Sequence, residues 1–136
     1  MDKKLSSLLI LFLVLFSAFI VYTIFNTPIT NLARAKEEFI PSSDASLIFA
    51  WPLTAKVNSD RVNINVFIRN AGNLPLANKT VTLETSLGVL ESNNIATDKS
   101  GKANFILTSD SPGIAEITAV IDNQIQLKQN VSIKFE

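Results

Sequence analysis

Eighteen consecutive uncharged residues, Leu8 to Phe25 (LLILFLVLFSAFIVYTIF), follow a short polar start at Asp2, Lys3 and Lys4, and no charge returns until Arg34. As a helix rising about 1.5 Å per residue, such a run spans about 27 Å, close to the hydrocarbon thickness of a bilayer. Ser17 and Thr23 can return their hydroxyls to the helix backbone, so neither interrupts the span. Leu8, Phe12, Phe16, Phe19, Tyr22 and Phe25 are the expected anchor residues, with Tyr22 and Phe25 near the distal interface, where aromatic rings are favoured. Lys3 and Lys4 place the N-terminus in the cytoplasm by the positive-inside rule, so the C-terminal part is expected to be exported as part of a single-pass membrane protein. Ala33-Arg34-Ala35 has the small-x-small form of a signal-peptidase site, and cleavage after Ala35 would secrete the same part instead. The long apolar run, and the distance of that site from its end, favour an uncleaved signal anchor. The expected division is a cytoplasmic start and transmembrane helix over 1–26, a spacer, partly helical at most, over 27–45, and a folded domain over 46–136.

Beyond the spacer the hydrophobic period changes to two, the mark of half-buried strands. Leu47 to Ala55 reads as a first strand interrupted by Pro52, which suits a sheet edge. In Arg61 to Arg69, Val62, Ile64, Val66 and Ile68 point one way and Asn63 and Asn65 the other. Further strands are expected over Thr80 to Leu87, Asn94 to Thr97, Lys102 to Ser109, Ala115 to Ile121 and Ile125 to Phe135. Turn signals separate them, including Asn70-Ala71-Gly72-Asn73, Asp98-Lys99-Ser100-Gly101, Ser111-Pro112-Gly113 and Asp122-Asn123. Gly72, Asp98, Gly101 and Gly113 are the expected structural turn residues, with Gly101 supplying a positive φ and Asp98 closing its turn through its own side chain. Seven short strands without a helical period define an all-β class, a seven-stranded antiparallel sandwich behind one N-terminal transmembrane helix.

From Lys36 to Glu136 there are nine Lys and Arg against eleven Asp and Glu, a net charge of −2 with no basic stripe, so nucleic acid is not an expected partner. The sequence has no Cys and no His. That removes disulfide staples, the commonest general base and the commonest metal ligand. Asp44, Asp60, Asp98, Asp110 and Asp122 are scattered among turns without a calcium-loop spacing, so turn chemistry accounts for them and no metal or other cofactor is expected. An enzyme would need a Ser–Lys or carboxylate pair that the pattern does not place.

Three segments carry a family resemblance. Asn70-Ala71-Gly72-Asn73-Leu74-Pro75, continuing to Val81-Thr82-Leu83, resembles the D-A-x-G-x-P…V-T-F segment of bacterial Ig-like domains of the invasin/intimin type. Ala96-Thr97-Asp98-Lys99-Ser100-Gly101-Lys102-Ala103, continuing to Leu107-Thr108-Ser109, resembles that family's T-T-D-x-x-G-x-A…L-T-S. Gly113 to Ala119 resembles its G-x-x-x-V-T-A. Asn70 stands for the usual Asp, Gly72-Asn73 reverses the usual order of that turn, and Asn78 stands where Gly is common. The resemblance covers about Ala45 to Glu136 and implies an Ig-like fold and a bacterial envelope or surface module. Family adhesins add an outer-membrane barrel and a receptor-binding tip, which this sequence does not show. Two N-x-S/T tripeptides, at Asn78 and Asn130, carry no weight in a bacterial family.

The expected function is therefore non-enzymatic: a membrane-anchored, extracytoplasmic Ig-like domain that binds or positions another protein or component of the cell envelope. A passive spacer or assembly subunit is the alternative, and an enzyme accessory domain the weakest. Two residues depart from the alternation. Phe67 and Ile106 fall on the polar side of their strands, which an Ig-like topology makes neighbours, and side by side they would form an apolar interaction patch. Trp51 is expected to plug the rim of the sandwich.

Overall fold

The computed structural model describes residues 2–26 and 39–136, in two compact units, 1–37 and 38–136. The first is helix α1, Lys3–Asn26. The Asp2 carbonyl accepts the Leu5 and Ser6 N–H groups and so satisfies two of the donors that a helix start leaves open. The Ser17 hydroxyl donates to Val14 O (2.9 Å), and that of Thr23 to Phe19 O (3.0 Å), so both polar side chains are returned to the backbone. Over Lys3–Thr23 the mean hydropathy is 2.6, and none of the most apolar stretch is buried. The helix is long and apolar enough to cross a membrane.

The second unit is a two-sheet β-sandwich. One sheet has the order β1 (Leu47–Trp51), β3 (Val62–Phe67), β7 (Lys102–Thr108), β5 (Val89–Leu90). The other has the order β2 (Thr54–Ala55), β10 (Val131–Phe135), β8 (Gly113–Ile121), β4 (Thr80–Thr85), β6 (Asn94–Ala96), with β9 (Ile125–Gln126) also on β8. The count is ten strands, which corrects the expected seven. Each added strand has a local cause. Pro52 has no N–H to give a ladder. The first strand breaks there, so that β1 pairs antiparallel with β3 and β2 pairs parallel with β10 in the opposite sheet. That parallel pair also corrects the expectation of a purely antiparallel fold. A second crossing between sheets creates β5, which pairs with β7, ahead of β6, which pairs with β4. The last strand is interrupted at 127–130, where β9 lies opposite Val120 and Ile121 while β10 lies opposite Gly113 to Ile117.

Period two decides what is inside. Val62, Ile64, Val66 and Ile68, with Ala103, Phe105 and Leu107, form the inner face of the first sheet. Val81, Leu83, Ala115, Ile117, Ala119, Ile121, Ile133 and Phe135 form that of the second, and all are at most 2% exposed. The buried polar groups are matched. Thr97 Oγ1 donates to Leu76 O (2.7 Å) and accepts from Lys79 N (3.0 Å), the Ser46 hydroxyl meets the Arg69 backbone, and Asn70 Oδ1 accepts the Leu74 N–H. Among the described residues no buried side-chain nitrogen or oxygen lacks a partner, as a stable interior requires.

Phe105 is among the largest wholly buried side chains and lies opposite Ile64 on the central β3–β7 pair. Phe105→Ala is expected to cost about 3–5 kcal/mol, as a large-to-small core change that leaves a cavity. Chemical denaturation of the full chain in detergent, followed by near-UV circular dichroism, measures this. A midpoint indistinguishable from the parent's would contradict the packing described.

Candidate interaction surface

The outer face of the first sheet has an apolar flank on each side of a polar centre. In β1, Ile48 is wholly buried, so the alternation turns Leu47, Phe49 and Trp51 outward. Phe49 is 49% exposed and Trp51 75%; Leu53, just past Pro52, is 52% exposed. On β3 the outward residues are Asn63, Asn65 and Phe67, and on β7 they are Lys102, Asn104, Ile106 and Thr108. Asn104 Nδ2 donates to Asn65 Oδ1 (2.8 Å) across the middle. Phe49 and Phe67 meet edge to face, with ring centroids 6.2 Å apart and planes at 68°. Such aromatic pairs favour an offset or edge-on approach.

The register corrects one expectation. Phe67 and Ile106 share the outer face, both half-buried, but they are not side by side. Phe67 lies opposite Lys102, and Ile106 opposite Asn63. Four positions of register put them about 13 Å apart along the strands. Phe67 belongs with Phe49 on the β1 flank, and Ile106 lies toward β5 and the exposed Val89. Trp51 does not plug the rim: its side chain is among the most exposed of the sandwich. The residues that sequence reasoning passed over, Phe49 and Leu53, had a signal. Once Ile48 is taken as inward in LIFAW, Phe49 and Trp51 must face outward together.

β1 is also a sheet edge. The Ile48 N–H points away from β3 and is taken by Gln129 Oε1 (3.3 Å), while Lys128 forms an ion pair with Asp44 (2.9 Å). The interruption between β9 and β10 thus supplies side chains that cover part of the edge ladder, a common protection against edge pairing. The Lys128 ammonium is held above its usual range by the hydrogen bond and charge of Asp44.

The turn residues divide. The Asp98 carboxylate accepts Ser100 N (2.8 Å), Ser100 Oγ (2.6 Å) and Lys102 N (3.0 Å). These bonds, the Ser100 hydroxyl's first, hold its pKa below the ordinary carboxylate range. Gly101 has φ +74°, and a Cβ there would lie 2.6 Å from Ile68 O, so its turn packs flush against the 68–76 segment. Gly113 opens β8 with φ +153°, and a Cβ there would press Leu87 at 3.1 Å. In the 70–75 turn, Asn73, not Gly72, takes the left-handed conformation (φ 64°), and Asn78 takes it too (φ 57°). Asn adopts that region more readily than most residues.

The six anchor candidates on α1 (Leu8, Phe12, Phe16, Phe19, Tyr22 and Phe25) are all more than half exposed, and Phe12 stacks on Phe16 at 5.9 Å. A polar depression of about 320 Å³ lies between Asn58, Asp60, Thr108 and Asp110 on the sandwich. Among the described residues no three of His, Cys, Asp and Glu gather as a metal site would require.

Two facing sheets, a strand that changes sheet at a proline and a covered edge define an Ig-like sandwich. The chain belongs to the bacterial Ig-like domain (group 1) family, which matches residues 55–136. It is similar to the C-terminal 282-residue fragment of intimin solved with the intimin-binding domain of the translocated intimin receptor, at 26% identity and a TM-score of 0.59, over 71% of this chain and 33% of that one. In fold it also matches adhesin InvE of Yersinia pseudotuberculosis (22% identity, TM-score 0.63, 71% of this chain and 28% of that one). A further match in fold is invasin, a bacterial integrin-binding protein (24% identity, TM-score 0.63, 70% and 19%). The chain thus spans about a third or less of the length of these three solved chains. None of the curated proteins matches it.

Gly101→Ala is expected to lose about 1–3 kcal/mol from the left-handed backbone alone, and more from the contact with Ile68 O. Gly72→Ala, whose Cβ would meet only Asn70 Oδ1 at 3.4 Å, is expected to be near neutral. Equal melting temperatures for the two variants would refute this assignment. For Asp98 the sign follows from its lowered folded pKa. Its contribution is fully present above the unfolded value, near 4, and is lost as pH falls through the folded one. Asp98→Asn should therefore flatten the acid limb of the stability curve below about pH 4. An unchanged acid limb would count against the turn's role.

Proposed function

We infer that this chain is a membrane-tethered Ig-like module whose sandwich stands outside the cytoplasm and binds or positions another component of the cell envelope, without catalysis. The observation that carries the reading is the contrast between the two units. α1 exposes apolar side chains with nothing among the described residues to bury them, while the sandwich closes its core completely. A helix apolar on every face belongs in lipid or in a protein interior. In lipid, Leu8, Phe12, Phe16, Phe19, Tyr22 and Phe25 would meet acyl chains and interfaces, and Lys3 and Lys4 would hold the N-terminus in the cytoplasm. The division proposed is anchor 1–26, spacer 27–45 and Ig-like domain 46–136; residues 27–38, with Ala33-Arg34-Ala35, lie outside the described residues. Relatedness to intimin and invasin supports a surface-binding role, and a protein receptor is the kind of partner those proteins take. The absence of His and Cys from the sequence supports a non-catalytic role.

The chain has no cysteine, so Ser59→Cys on an exposed loop gives a single labelling site. A membrane-impermeant maleimide should label it in intact spheroplasts, and intact mass should retain residue 1 or 2 at the N-terminus. Labelling only after lysis would contradict the orientation. A mature N-terminus at Lys36 would contradict the uncleaved anchor.

A further inference from the structure

We propose that the β1 edge of the sandwich is a lipid-docking surface, which lies in the headgroup region of the membrane that holds α1; the proposal rests on the tethered reading above. The edge carries Phe49, Trp51 and Leu53, each about half exposed or more, with Phe67 packed behind Phe49. It continues toward the tether. Phe39 and Ile40, 68% and 50% exposed, lead into Ser42, whose N–H is bound by Arg69 O at the Leu47 end of the strand. The chain therefore enters the domain at the Leu47 end of the strand that exposes Phe49 and Trp51.

The tether identifies the occupant. Residues 27–38 separate α1 from Phe39, and at full extension twelve residues reach about 40–45 Å. On the tethered reading the bilayer surface therefore lies no farther than this from Phe39, which gives lipid a high effective concentration at the domain. The chemistry agrees. No charged residue lies between Asp44 and Lys56 or along Val62–Ile68, so the aromatic stretch itself brings no charge to lipid, and the exposed Asp44–Lys128 ion pair of the same edge would stay among the headgroups. Trp and other amphipathic aromatic residues favour the headgroup boundary. With a net charge of −2 from Lys36 to Glu136, the driving force expected is apolar and not attraction to anionic lipid, so zwitterionic lipid should suffice and added salt should not release it.

Trp51 is the sole tryptophan, so the native full chain reports on itself. It would be reconstituted in phosphatidylcholine vesicles with and without lipid carrying a nitroxide on the headgroup. Docking should shift Trp51 emission to shorter wavelength relative to detergent, with a loss of intensity to the headgroup quencher and shielding from aqueous iodide, unchanged by 0.5 M salt. Leu53→Asn, at a position 52% exposed and outside the strands, should weaken that quenching while the melting temperature holds. A chain that floats with vesicles but whose Trp51 is quenched by iodide and not by lipid overturns the docking and leaves the tether standing. Shielding from both quenchers together with a crosslinked dimer overturns it in favour of a second copy. A chain that does not float with vesicles overturns both the docking and the tether.

Discussion

Burial of two facing rows of side chains, Val62 to Ile68 with Ala103 to Leu107 on one sheet and Val81, Leu83 and Ala115 to Ile121 on the other, is the interaction on which the rest of the sandwich depends. Those rows fix the register, because a slip of one residue would turn each row out to solvent. With register fixed, the outward residues of β1, β3 and β7 have no freedom of placement. Asn65 must meet Asn104 at the centre of the face, and Phe49 must stand by Phe67 at its flank. The exposed surface is thus a consequence of the core.

The strand positions and the inner faces were legible because period two is a local property, carried by a few residues at a time. Three kinds of feature were not. Strand number depends on which sheet each segment joins, and the crossings at Pro52 and between β5 and β6 are settled only when both sheets exist. Neighbour relations across strands depend on register, and that separates Phe67 from Ile106 although both share the outer face. Turn conformation depends on single dihedral angles. The reversed Gly72-Asn73 order left the left-handed position ambiguous, and the structure gives it to Asn73. Gly101 was recognisable as a turn glycine from Asp98-Lys99-Ser100-Gly101, but the close approach of Ile68 O that excludes any Cβ required the folded chain. On the surface, Trp51 and Phe49 lay in a segment short enough to be read as strand or rim, and the inward Ile48 decides between them.

The two units answer the same hydrophobic effect in different ways. The sandwich removes its apolar side chains from water by packing them against each other, and it leaves one aromatic edge outside. α1 finds no apolar partner among the described residues, and the proposed function gives it lipid as its solvent. A tethered binding module requires this combination: a domain whose stability does not depend on the membrane, and an anchor whose stability does.

The most direct test of that division is hydrogen–deuterium exchange of the full chain in lipid bilayers at rising urea concentration. The account requires peptides from β3, β4, β7 and β8 to lose protection together in one cooperative transition, while peptides from Lys3 to Asn26 stay protected throughout. Exchange of the α1 peptides before the sandwich opens, or in step with it, would contradict an independent lipid-embedded tether and with it the proposed function.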